Sequence, residues 1–64
     1  MFCEWAGKTT KLYRDNRQLW RVFNTSSNVQ CAYVSGEDNE ARVSITLANG
    51  RTLLYRGNGQ LLRG

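Results

Sequence analysis

Two Tyr-Arg pairs, Tyr13-Arg14 and Tyr55-Arg56, carry the most pointed chemistry in this sequence. Each joins a ring that can stack to a guanidinium that can grip a phosphate or a carboxylate through two parallel hydrogen bonds. Lys11, Arg42 and Arg51 add cationic charge nearby in sequence, and Trp20 adds a further ring. Reactive chemistry is sparse by comparison. There is no histidine, which excludes a Ser-His-Asp triad, a Cys-His pair and any His-ligated metal, and two cysteines alone do not complete a structural zinc site. Glu37, Asp38 and Glu40 lie close together but match no EF-hand spacing, and they read as a solvated acidic turn. Gly57-Asn58-Gly59 does not sit between a strand and a helix, so it is no phosphate-cradling loop. An enzyme is not expected, nor is a cofactor or a metal.

Both Tyr-Arg pairs belong to a longer repeat. Aligned at an offset of 42, positions 6–21 and 48–63 agree at nine of sixteen places, and the shared kernel is LYRxNxQLxR. The first copy alone is ambiguous, since Leu12, Leu19, Trp20 and Phe23 also fall near helical spacing. The second copy decides against a helix, because Gly57 and Gly59 each cost a helix about 1 kcal/mol relative to Ala and Asn58-Gly59 is a strong hairpin signal. Two similar hairpins are therefore expected, with turns centred on Asp15-Asn16-Arg17 and Gly57-Asn58-Gly59. A positive φ suits Gly59 but strains Arg17.

Sixty-four residues with 41% hydrophobic content and seven aromatics make one small domain, residues 1–64, with a minimal core. The net charge is +4, and seven of the nine basic residues are Arg, which favours an anionic partner. Cys3 and Cys31 read as small core hydrophobes rather than as a disulfide framework. No signal-peptide pattern and no run of transmembrane length occurs, so a cytoplasmic protein with no membrane partner is expected.

Residues 1–7 are expected to form an opening strand or a lid over one end of the core, and strands are expected over 9–14, 18–24, 29–34, 41–47 and 51–56. The clearest is 41–47, in which Val43, Ile45 and Leu47 alternate with Arg42, Ser44 and Thr46. Asn49-Gly50 predicts a two-residue hairpin that sets Thr52 against Leu47, Leu54 against Ile45 and Tyr55 against Ser44. In that register Leu54 is core, while Tyr55 and Leu53 lie outside. By the repeat, Leu12 is core and Tyr13 is outside with Lys11. A slip of one residue reverses every one of these assignments. Trp5, Phe2, Phe23 and Tyr33 are assigned to the core, with Trp20 either there or at the surface. The fold class is all-β: a small antiparallel meander of five or six strands curled into an SH3-like or OB-like barrel.

This pattern predicts a small, basic, non-enzymatic binding module. In one reading it binds nucleic acid, single-stranded DNA or RNA, with bases stacked on Tyr13, Tyr55 and Trp20 while Lys11, Arg14, Arg42, Arg51 and Arg56 follow the backbone. In the alternative it is a protein-binding inhibitor or adaptor of the mobile-element type, which covers an acidic or substrate-mimicking protein surface with the same Tyr and Arg residues. A third outcome is a homo-oligomer built through sheet edges.

Overall fold

The structure, a computed structural model, describes all 64 residues. Seven strands follow one another: β1 (Phe2–Ala6), β2 (Thr9–Tyr13), β3 (Leu19–Asn24), β4 (Val29–Ser35), β5 (Arg42–Leu47), β6 (Thr52–Arg56) and β7 (Leu61–Arg63). The only helical element is a single 3-10 turn, Asp38–Glu40, between β4 and β5. Every pairing is antiparallel, and the strands form a three-stranded sheet A, in the order β1-β2-β3, and a four-stranded sheet B, in the order β4-β5-β6-β7. The expected five or six strands become seven because residues 61–63 also pair, as β7 on β6. The sheets are not closed into a barrel: β1 and β4 lie beside each other but share no ladder.

The core is small and lies between the sheets. Leu12 and Phe23 enter it from sheet A, and Ala32, Val43, Ile45 and Leu47 from sheet B. Alternation dictates this, since each of these residues shares a face with its cross-strand partner: Ala32 and Leu53 flank Ile45, while Val34 and Tyr55 flank Val43. At one end the crossover from sheet A to sheet B is tied down by Thr25 N–H to the Lys8 carbonyl and by Val29 N–H to the Gly7 carbonyl, at 2.9 and 2.8 Å. At the other end Gly57 is the tie. Its N–H donates to the Ala41 carbonyl at 2.7 Å, and its own carbonyl accepts from Trp20 Nε1 at 2.7 Å and from Arg21 Nε at 2.9 Å.

Three hairpin tips are built alike. In the loops 15–17, 48–50 and 57–59 the middle residue is Asn, whose Oδ1 accepts the N–H two residues on, from Gln18, Arg51 and Gln60 at 2.9, 2.9 and 3.0 Å. The third residue has positive φ, 69° at Arg17, 92° at Gly50 and 95° at Gly59. Its N–H closes a turn onto the carbonyl of Arg14, Leu47 or Arg56. These are three-residue loops, a turn followed by a left-handed residue. Arg17 occupies the left-handed region without a glycine's freedom, at a cost of roughly 1–2 kcal/mol.

The loop at 48–50 overturns the expected register. A three-residue loop includes Ala48, so Ile45 faces Leu53, Ser44 faces Leu54 and Val43 faces Tyr55. Every inward and outward assignment in β6 is reversed: Leu53 and Tyr55 pack against the core, and Leu54 joins the outer face. Two core assignments also change. Tyr33 is 65% exposed and Trp5 is exposed, whereas Phe23 is buried and Phe2 and Trp20 are half-buried. Cys31 is exposed rather than buried, Cys3 is half-buried, and both thiols are free.

Candidate functional site

The register places one set of side chains on the outer face of sheet B. Successive cross-strand rows run Cys31-Thr46-Thr52, Tyr33-Ser44-Leu54-Arg63 and Ser35-Arg42-Arg56. Neither β4, β5, β6 nor β7 contains a single Asp or Glu. These rows thus present hydroxyls and guanidiniums with one thiol, Cys31, one projecting ring, Tyr33, and one aliphatic side chain, Leu54. Arg51 stands just before β6 and donates from its guanidinium to the Gly64 carbonyl.

Acidic side chains lie outside these strands, and three of the five form ion pairs, one of them with Arg56 of this face. Asp15 holds the Met1 amino group at 2.7 Å, Asp38 lies 3.5 Å from the Arg14 guanidinium, and Glu40 lies 3.5 Å from that of Arg56. Arg42 and Arg63 have no ion pair. Arg42 also stands directly opposite Arg56, a like-charge pair that disfavours the sheet by a few tenths of a kcal/mol to about 1 kcal/mol. The strands bring no acid to this pair, and the carboxylate beside it is that of Glu40, which reaches Arg56 from the turn before β5.

The residues singled out in the sequence are dispersed by the fold. Arg42 and Arg56 belong to the sheet B face, and Arg51 borders it. Tyr55 does not: it packs inward, its ring 4.5 Å from that of Phe23. Lys11 and Tyr13 lie on the outer face of sheet A, where Tyr13 stacks on Phe2 at 5.2 Å and Lys11 stands opposite Glu4. Arg14 lies over the Trp20 ring at 5.2 Å, and the Trp20 N–H is spent on the Gly57 carbonyl, so both are committed to the fold. The two repeated tyrosines therefore do not form matching platforms.

Tyr33 was missed. From Cys31 onward β4 alternates, with Ala32 and Val34 inward and Cys31, Tyr33 and Ser35 outward. Both sets contain apolar residues, and a bulge between Val29 and Cys31 shifts the phase, so only the pairing with β5 exposes the pattern.

Sheet A has a different character. An open depression of about 350 Å³ is lined by Glu4, Trp5, Ala6, Thr9, Lys11 and Tyr13, and Leu19 and Val22 are exposed on the same outer face. Burial pushes the Cys3 thiol up from its ordinary value, which keeps it protonated and a poor nucleophile at neutral pH. No three Cys, Asp or Glu side chains converge to hold a metal ion, and no helix is long and apolar enough to cross a membrane. Comparison with family models, with curated proteins and with solved structures finds no match to this chain.

Proposed function

We propose that this protein is a non-enzymatic binding module that takes a single-stranded nucleic acid on the outer face of sheet B. The observation that carries this reading is a face whose strands contribute no Asp or Glu, with the exposed Tyr33 and Arg63 at the two ends of one row and Arg42 and Arg56 in the next. A strand of nucleic acid needs cations at its phosphates and a flat ring for a base, and an open sheet face offers both without a cleft. Ser35, Ser44, Thr46 and Thr52 supply hydroxyls for phosphate and sugar oxygens. In this reading the site is an uncurled analogue of an OB-like or SH3-like binding face, and the two repeated hairpins serve as scaffold rather than as a duplicated grip.

The test is a fluorescence-anisotropy titration of a labelled single-stranded DNA and RNA at about 50 and 200 mM salt. Arg42 and Arg63, which have no ion pair, give a slope of log K against log salt of about −1.4 or steeper, so affinity falls at least about sevenfold between those salts. Tyr33→Ala weakens binding about five- to a hundredfold with little change in stability, since the ring is exposed. No binding at low salt, or full binding by the Tyr33→Ala protein, would defeat this reading.

A second reading is favoured by sheet A. Its outer face combines exposed Leu19 and Val22 with the Phe2-Tyr13 stack and with Lys11 opposite Glu4, a mixed and nearly neutral surface that suits a protein partner rather than a polyanion. This is the inhibitor or adaptor alternative. It would leave the sheet B substitutions without effect on partner capture, while Val22→Lys abolished it.

A further inference from the structure

We infer that Arg42 and Arg56 form a phosphate-binding site and that Glu40 occupies it as an internal competitor in the free protein. The inference rests on the nucleic-acid reading for the source of the phosphate, and it adds the group that is gripped and the residue that opposes it.

Ser35, Arg42 and Arg56 form one row across three adjacent strands. Residues directly opposite in an antiparallel ladder have Cα atoms about 4.5–5.5 Å apart and send their side chains to the same face. Two guanidiniums so placed repel each other, and an anion shared between them turns that repulsion into attraction on both sides. A phosphate has enough oxygens to accept from both guanidiniums and from the Ser35 hydroxyl.

Arg56 is poorly satisfied as it stands. Its guanidinium makes one hydrogen bond, from Nη2 to Glu40 Oε2 at 3.5 Å, the far limit of bonding distance, and its Nε is buried without an acceptor. Glu40 is 83% exposed, so the pair is both long and solvated, which is the weak kind. Its backbone is nonetheless held in place. Asp38, at the start of the same 3-10 turn, is paired with Arg14, and the Ala41 carbonyl accepts from Gly57 N–H at 2.7 Å. A fixed backbone with a loosely held carboxylate keeps Glu40 beside Arg56 while letting a better anion displace it. The neighbouring row, with Tyr33 and Arg63, lies two residues along the strands, about 6.7 Å away. In that row Tyr33 is one strand from Arg42 and Arg63 one strand from Arg56, so a base and a second phosphate would flank the first on opposite sides.

Two variants of equal net charge test the competitor: Glu40→Gln, and Glu4→Gln on sheet A. In the oligonucleotide titration Glu40→Gln is expected to bind about fivefold tighter than the native protein, with a salt slope steeper by about 0.7 as one more phosphate contact is released from competition. Glu4→Gln is expected to change affinity less than about twofold and to leave the slope unaltered. Identical behaviour of the two variants would overturn the role of Glu40. The site is tested separately by following the arginine Nε–H NMR signals of native and Glu40→Gln protein with inorganic pyrophosphate. Both Arg42 and Arg56 signals are expected to move, at about fivefold lower pyrophosphate in Glu40→Gln. If pyrophosphate moves them while no oligonucleotide binds, the nucleic-acid reading falls and the phosphate site stands. If neither signal moves in Glu40→Gln, the phosphate site is wrong whatever the oligonucleotide does.

Discussion

At the scale of single residues, Gly57 shows why the two copies of the repeat diverge at their tips. Asp15, its counterpart, is exposed and free to hold the Met1 amino group, whereas Gly57 is buried among the 38–41 segment, Trp20 and Arg21. Its need is for space rather than for an unusual φ: a Cβ there would stand 1.9 Å from the Asp38 carbonyl oxygen and 3.1 Å from the Ala41 Cβ. Gly50 is the opposite case, with φ of 92° and nothing within 4 Å of an added Cβ. Gly57→Ala is therefore expected to cost about 3 kcal/mol, the upper range for forcing a methyl into a packed site. Gly50→Ala carries only the left-handed penalty, roughly 1–2 kcal/mol. Urea denaturation of the two proteins measures the difference, and equal losses would mean that the 38–41 turn yields without resistance.

At the scale of elements, β5 shows a sheet whose two faces are set by opposite demands. Its inner side, Val43, Ile45 and Leu47, is fully buried, and its outer side keeps Arg42 against Arg56 at a cost in stability. Arg42→Thr removes the like-charge pair and adds a β-branched strand residue, so it should raise stability by about 0.5 kcal/mol. The same change should weaken oligonucleotide binding and make the salt slope shallower by about 0.7. Chemical denaturation and anisotropy on one preparation read both, and a variant that loses stability along with binding would assign Arg42 to the fold instead. The alternation of β5 was legible because one of its faces is wholly apolar. The register of β6 was not, because Asn49-Gly50 fits a two-residue loop and a three-residue loop equally well by local chemistry. A signal did exist. Leu-Ala-Asn-Gly-Arg at 47–51 aligns with Arg-Asp-Asn-Arg-Gln at 14–18 and Arg-Gly-Asn-Gly-Gln at 56–60, a third tip with Asn in the middle. Reading it so would have turned Tyr55 inward and Leu54 outward. The exposure of Tyr33 follows only after β4 is paired with β5, since no local pattern separates its face from that of Val34. The clustering of arginines on sheet B was likewise out of reach, because Arg42, Arg56 and Arg63 meet only through two pairings.

At the scale of the whole molecule, the chain joins a small core to an exposed cationic face. Nine of 64 residues are buried, and the surface of 4074 Å² is about what a compact 7.3 kDa chain exposes. The two sheets are pinned at the 25–29 crossover and at Gly57 but not sealed along β1 and β4, so no continuous ladder encircles the core. A core of this size supports a stability of only about 3–5 kcal/mol. Ligand binding to the folded state is then a large fraction of the total. An oligonucleotide at about a hundredfold its Kd adds about 2.7 kcal/mol, which for a domain of this size raises Tm by roughly 10–20 °C. Charge alone cannot produce that rise, because the unfolded chain carries the same +4 and attracts the polyanion as well. Thermal melts with and without oligonucleotide therefore separate a folded site from diffuse attraction. A rise that shrinks in a double Arg42→Ala, Arg63→Ala protein locates the ligand on sheet B, where those two guanidiniums lie on adjacent rows. An unchanged or lowered Tm would mean that the polyanion prefers the open chain, and that the sheet B face is cationic without being a site.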